Sequence, residues 1–149
     1  MTAPLIRAAR STDAGTTGAI LSAFIDDTDW MPRLHTRAED IAFAGHMIAR
    51  GWVSVAETEG AVKGFIARDG EEVNALYVAP AAQGQGIGTA LLREAQTHAD
   101  RLILWTFQAN AGAQRFYARH GFTEAERTDG GRNDEKLPDV RMVWTKEGT

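Results

Sequence analysis

Apolar positions along the chain change period several times, and each change marks an element. Leu5 to Arg10 is short and partly apolar, as a first strand would be. Ser11 or Thr12 then offers an N-cap, and Ala19, Ile20, Ala23 and Phe24 follow at helical spacing. Asp26 to His35, with Trp30 and Pro32, reads as a loop. Thr36 and Glu39 form a capping box for a second helix, with Ile41, Ala44 and Ile48 on one face and an end near Gly51. The period then shortens. Trp52, Val53 and Val55 open a strand, Glu59-Gly60 is a turn, and Val62, Phe65 and Ile66 form the next strand. Asp69-Gly70 is a hairpin signal, and Glu71 to Val78 is a third strand stopped by Pro80.

After a glycine-rich stretch, Ile87, Ala90, Leu91 and Ala95 return to helical spacing. Leu102 to Phe107 is rich in strand formers. Asn110 to His120 is a helix with Ala113, Phe116 and Tyr117 on one face and Gly121 as its stop. Val140 to Trp144 is the last strand. The predicted order is βα(α)βββαβαβ, a mixed α/β domain of the α+β type with antiparallel hairpins.

At 149 residues the chain suits one domain, able to bury about 68–70% of its unfolded surface. Its net charge of −4 argues against a dedicated nucleic-acid binder. With no cysteine, thiolate catalysis, disulfides and Cys-ligated metals are excluded. His35, His46, His98 and His120 show no metal spacing, so no metal is expected. Arg7 interrupts the place of a signal-peptide core, and no run approaches a membrane span. A soluble cytoplasmic protein is expected, without membrane partners.

The densest chemistry lies in Leu76 to Leu92. Gly84, Gly86 and Gly88 separate a strand from a helix, which opens the backbone to an anion at the helix N-terminus. There is no lysine, so a Walker loop fails. The glycine spacing is wrong for a dinucleotide fingerprint, and the preceding strands are antiparallel. A phosphate or pyrophosphate remains the fitting ligand.

The pattern Q/R-x-x-G-x-G/A, filled by Gln83, Gly86 and Gly88, resembles the acetyl-CoA pyrophosphate loop of the GNAT superfamily of N-acetyltransferases. Asn110, Ala113, Phe116, Tyr117, Gly121 and Phe122 are similar to that family's second motif, N-x-x-A-x-x-F-Y-x-x-x-G-F. The resemblance runs from Glu71 to Phe122. It implies a splayed, mostly antiparallel sheet with the pantetheine arm of acetyl-CoA in the gap. Backbone groups of Leu76, Tyr77 and Val78 would pair with the arm. Gln83, Gly84, Gln85, Gly86, Gly88 and Thr89 would surround the diphosphate, with Asn110 and Phe116 beside the arm. Tyr117 would give its proton to the departing thiolate, and a free phenol's pKa of about 10 suits that transfer. Phe116 and Tyr117 also fit as adjacent core rings, and Asn110 also fits as an N-cap.

For the acceptor side the resemblance places a base at Glu72, six residues before Val78, although Glu72 also fits a solvated hairpin end. Trp30 and His35 are candidate contacts for the acceptor. As a lone histidine, His35 is more often structural. The charged loop from Gly130 to Asp139 is either a mobile lid or a solvated connection. The implied activity is direct acetyl transfer to a primary amine on a small molecule or a protein. A non-catalytic acyl-CoA sensor uses the same loop, and a mononucleotide-binding interaction protein is the third alternative. The resemblance also raises a homodimer built on Val140 to Trp144, which a core strand explains equally well.

Overall fold

The computed structural model describes residues 3–146. The elements are β1 (Leu5–Ala8), α1 (Ala14–Asp27), α2 (Arg37–Ala49), β2 (Val53–Thr58), β3 (Ala61–Asp69), β4 (Glu72–Val78), α3 (Ile87–His98), β5 (Arg101–Phe107), α4 (Ala111–Arg119), β6 (Thr123–Thr128) and β7 (Asp139–Thr145). They build one seven-stranded sheet in the order β1-β2-β3-β4-β5-β7-β6. Every pairing is antiparallel except β4 with β5.

Both faces of the sheet are covered, which is why its central strands carry apolar neighbours and not a clean alternation. Val55 and Phe65 point to a core beneath α1 and α2, with Ile20, Met47 and Ile48. Ala56 and Ile66, one residue on, point to the opposite core with Leu91, Leu92, Leu102, Leu104 and Val140. The α1–α2 crossing is close. A Cβ at Gly18 would stand 2.5 Å from the Ile41 Cα, so only glycine fits there.

The capping box at Thr36 forms as expected. The Thr36 Oγ1 accepts from the Glu39 N–H at 3.1 Å, and the Glu39 carboxylate accepts from the Thr36 N–H at 2.8 Å. The first helix starts later than Ser11 or Thr12. Ser11–Asp13 is a 3-10 turn, and the Asp13 carboxylate accepts from the Arg10 N–H and the Arg7 guanidinium. The buried face of α2 is Asp40, Ala44, Met47 and Ile48, with Ile41 at its margin.

One strand, β6, is absent from the predicted order. Five of its six residues are exposed, so no apolar period announced it. It is a charged edge strand, and its pairing with β7 carries it. Because β7 lies between β5 and β6, Val140 to Trp144 is an internal core strand and offers no free edge to a second copy. The loop from Gly130 to Pro138 is knitted by its own hydrogen bonds. The Asn133 amide donates to the Leu137 carbonyl at 2.8 Å, the Leu137 N–H returns to Asn133 Oδ1 at 3.2 Å, and the Gly130 N–H reaches Thr128 Oγ1 at 3.1 Å. These bonds favour a fixed connection over a mobile lid.

Candidate active site

The site begins with a failure of strand pairing. Strands β4 and β5 share one register pair, Glu72 with Ile103, and separate beyond it. The cause is visible one strand over. Ala67 pairs with Ala75 and Arg68 with Val73, which leaves Asn74 as the extra residue of a β-bulge in β4. A bulge bends its strand and re-aims it. From Asn74 onward, the backbone edge of β4 that faces β5 has no strand partner. A cleft of about 550 Å³ fills the opening.

This cleft passes through the sheet. At one end it is lined by Gln83, Gly84 and Gly88 of the β4–α3 turn and by Asn110, Phe116 and Tyr117 at the start of and along α4. At the other end it is lined by Phe24, Tyr77, Trp105 and Phe107. Leu102 and Leu104 are buried in the α3 core, so the two-residue period turns Trp105 and Phe107 to the α1 side.

The glycine end is a backbone construction. Gly84 and Gly86 take φ of +79° and +81°, and a Cβ at either would meet nothing within 4 Å. Conformation, not crowding, therefore requires glycine at both. Gly86 is the N-cap of α3 and makes no side-chain cap bond. The first-turn N–H groups of α3 thus face outward beside the positive end of the helix dipole. Gly88 differs: it lies within α3, and a Cβ there would meet Phe116 and Val78 at ordinary van der Waals distance. Gln83 donates weakly to the Val78 carbonyl at 3.4 Å. Gln85 turns to a neighbouring depression with Lys63 and Glu59. Thr89 is 3.3 Å from His120 Nε2 and does not line the cleft.

Asn110 serves as the N-cap of α4, its Oδ1 accepting from the Ala113 N–H at 3.0 Å. Asn110 also lines the cleft. Phe116 is half-buried, edge-on to Tyr117 at 5.3 Å.

Tyr117 lines the cleft from α4 and Tyr77 from β4. Among the described residues no protein group bonds either hydroxyl, and no buried side-chain polar atom lacks a partner. Both hydroxyls therefore open on the cleft. Burial pushes the Tyr117 phenol well above its ordinary value, helped by the neighbouring Tyr77. Burial likewise pushes Tyr77 up to about 12, with the charge of Glu135 adding to it. The match of a free phenol to a thiolate is thus not a property of this site. A thiolate held in the same slot is desolvated and raised by the same cause.

Two expected acceptor-side residues stand elsewhere. Glu72 lies exposed where β4 and β5 still touch, at the closed end of the opening. His35, the residue before the N-cap of α2, is exposed and stands 4.0 Å from Glu39. Neither lines the cleft. Trp30 does not line it either, but packs edge-on against two rings that do, Phe24 at 6.4 Å and Phe107 at 5.6 Å. Phe24, Phe107 and Trp105, together with the Tyr77 ring, are the residues that sequence reasoning missed. They come from α1, β4 and β5, and no local motif links them.

Among the described residues, no group of three or more histidine, aspartate or glutamate side chains could hold a metal ion, and no helix is long and apolar enough to cross a membrane.

The sequence profile of the acetyltransferase (GNAT) domain matches residues 49–124. The chain is 36% identical over 93 residues to the peptidyl-lysine N-acetyltransferase YjaB of Salmonella typhimurium, covering 62% of this chain and 63% of that protein. It is 36% identical over 97 residues to the peptidyl-lysine N-acetyltransferase YiaC of Escherichia coli, covering 64% of each. The matched segments thus span less than two thirds of both relatives. The solution structure of apo YjaB from Escherichia coli superposes with a TM-score of 0.80 at 23% identity, over 96% of this chain and 98% of that one.

Proposed function

The chain belongs to the GNAT acetyltransferase family, and from that premise we propose that it transfers an acetyl group from acetyl-CoA to a primary amine in a ternary complex. The observation that carries this reading is the cleft through the sheet. One of its ends is backbone shaped for an anion, and the other is open to a second reactant.

Acetyl-CoA supplies the acetyl group as a thioester, so a neutral amine can displace the thiolate and leave an amide and a free thiol. The chain's own residues hold, orient and move one proton. The turn at Gly84 and Gly86 and the first-turn N–H groups of α3 bind the diphosphate. The free edge of β4 at Leu76, Tyr77 and Val78 accepts the pantetheine arm as a surrogate strand. The Asn110 amide holds the arm from the α4 side, and Phe116 packs along it. A backbone N–H near Leu76 stabilises the charge that develops on the carbonyl oxygen.

Tyr117 donates its proton to the sulfur as the C–S bond breaks. Its raised pKa keeps the phenol protonated at neutral pH, as a donor must be. Among the described residues lining the cleft there is no carboxylate or imidazole. Water therefore takes the amine's proton, and neither Glu72 nor His35 enters the mechanism.

The test is release of free thiol from acetyl-CoA with a panel of amines, alongside calorimetric titration with CoA. Thiol release that depends on an added amine supports transfer. CoA binding without release under any amine would leave a binding module and end the transferase reading.

A further inference from the structure

Helices α1 and α2 cover only part of their side of the sheet. The core beneath them takes its strand residues from β2, β3 and β4. Leu102, Leu104, Val140 and Met142 turn to the opposite core, so the two-residue period puts Trp105, Arg141 and Val143 on the α1 side. They have no such cover: Trp105 is 46% exposed, and Arg141 and Val143 are half-buried. Trp105 lines the cleft, and Arg141 stands opposite it in register on β7. Adjacent strands lie about 4.8 Å apart. Arg141 does not line the cleft itself, but its stem begins one strand spacing beyond the wall, within a side chain's length of the mouth.

Arg141 is also unmatched. Among the described residues it is the one arginine whose side chain is half-buried yet makes no ion pair or hydrogen bond. Arg7, Arg68 and Arg101, equally half-buried, each make at least one. The acids on its own face do not serve it. Both oxygens of Asp139 are taken, one by the Thr128 hydroxyl and the other by the Asn133 amide at 3.2 Å. Glu126, opposite on β6, is exposed, lies on the side away from the cleft and makes no bond to Arg141.

A guanidinium that has lost part of its water gains from an anion that bonds it, and its planar fork fits a carboxylate with two parallel bonds. The Trp105 ring, between Arg141 and the cleft, offers an apolar surface to a hydrocarbon chain. Glu135, whose charge reaches Tyr77, makes the field at the inner wall negative, which favours an ammonium inward and a carboxylate outward.

Resting on the transfer reading, we propose that the acceptor carries a carboxylate a short chain away from its amine. Arg141 is the specificity residue that holds this carboxylate while the chain lies across Trp105. A free amino acid with a terminal amine, and an acidic residue beside the acceptor amine of a polypeptide, share that chemistry.

Steady-state thiol release would be measured with two matched pairs. The first is aminohexanoate against hexylamine. The second is a lysine peptide, blocked at both termini, with a neighbouring glutamate against the same peptide with glutamine. In at least one pair the acid is expected to exceed its neutral partner in kcat/KM by about tenfold, the worth of a hydrogen-bonded charge, and that pair names the source. Added salt should shrink the ratio. Arg141→Gln is expected to bring the ratio to about one while the neutral member's kcat/KM and the acetyl-CoA KM stay put, which a merely structural defect would not do. Arg141→Lys, with the charge but not the fork, should restore part of the ratio. Equal rates within both pairs in the parent enzyme, or a preference that survives Arg141→Gln, overturns the inference and leaves transfer standing. No thiol release with any of the four, while CoA still binds, overturns the transfer reading and this inference together.

Discussion

The two ends of the cleft are made of different material. The glycine end is main chain: two residues with positive φ, a helix N-terminus and a strand edge that lost its partner at a bulge. The aromatic end is side chain: rings contributed by α1, β4 and β5, backed by Trp30 from the segment after α1. Main chain recognises what is common to a class of ligand, since every residue offers the same N–H and C=O. Side chains recognise what is particular. On the proposed reading, the end that takes the shared donor is built from the first and the end that takes the individual acceptor from the second.

The largest effect is expected where the ends meet. Tyr117→Phe should lower kcat by about a hundredfold or more, the usual worth of a placed general acid, with CoA affinity retained in a calorimetric titration. A kcat within a factor of a few of the parent would show that the phenol only fills space.

Next comes the glycine end taken alone. A β-branched residue at Gly86, where φ is +81°, must either bear about 1–2 kcal/mol of left-handed strain or rebuild the turn. Gly86→Val should therefore raise the KM for acetyl-CoA by about tenfold or more and leave the amine KM unmoved. If both constants move together, the ends are not separable.

Asn110 extends the contrast, because one side chain caps the main chain of α4 and, on the proposed reading, also holds the ligand. Asn110→Ala removes the cap on Ala113 and should cost about 1 kcal/mol of stability by thermal denaturation. Asn110→Asp keeps a capping oxygen but loses the amide donor, so it should retain stability and still weaken CoA binding. Equal CoA affinity in parent and Asn110→Asp would confine Asn110 to the cap.

The smallest effect is in pH. Burial raises both tyrosines, so their donor forms persist to higher pH than a free phenol's. kcat/KM should climb as the amine loses its proton and should not fall before about pH 10. A descending limb centred between about pH 8 and 9 would assign the acid to another group.

The same division decided what could be read from the amino-acid sequence. Helix α3, its glycine turn and the Asn110–Phe122 segment were legible, since each depends on residues close in sequence at a fixed spacing. The strands from Val53 to Val78 were legible because two buried faces concentrate apolar residues. Strand β6 was not, since its pairing partner supplies what Thr123–Thr128 lacks in apolar pattern. Glu72 was placed by its count back from Val78. A count along the chain cannot tell that Asn74 is looped out or that Glu72 stands at the closed joint. Phe24, Trp30 and Phe107 meet only after α1 folds back over β4 and β5, which no window of the sequence contains.

Where CoA lies decides between these readings. A crystal structure of the complex should show the diphosphate against the N–H groups of residues 84–89 and the arm between β4 and β5, with its sulfur near the Tyr117 hydroxyl and the aromatic end still open. A diphosphate bound away from that turn, or an arm that leaves β4 unpaired at Leu76 to Val78, would contradict it.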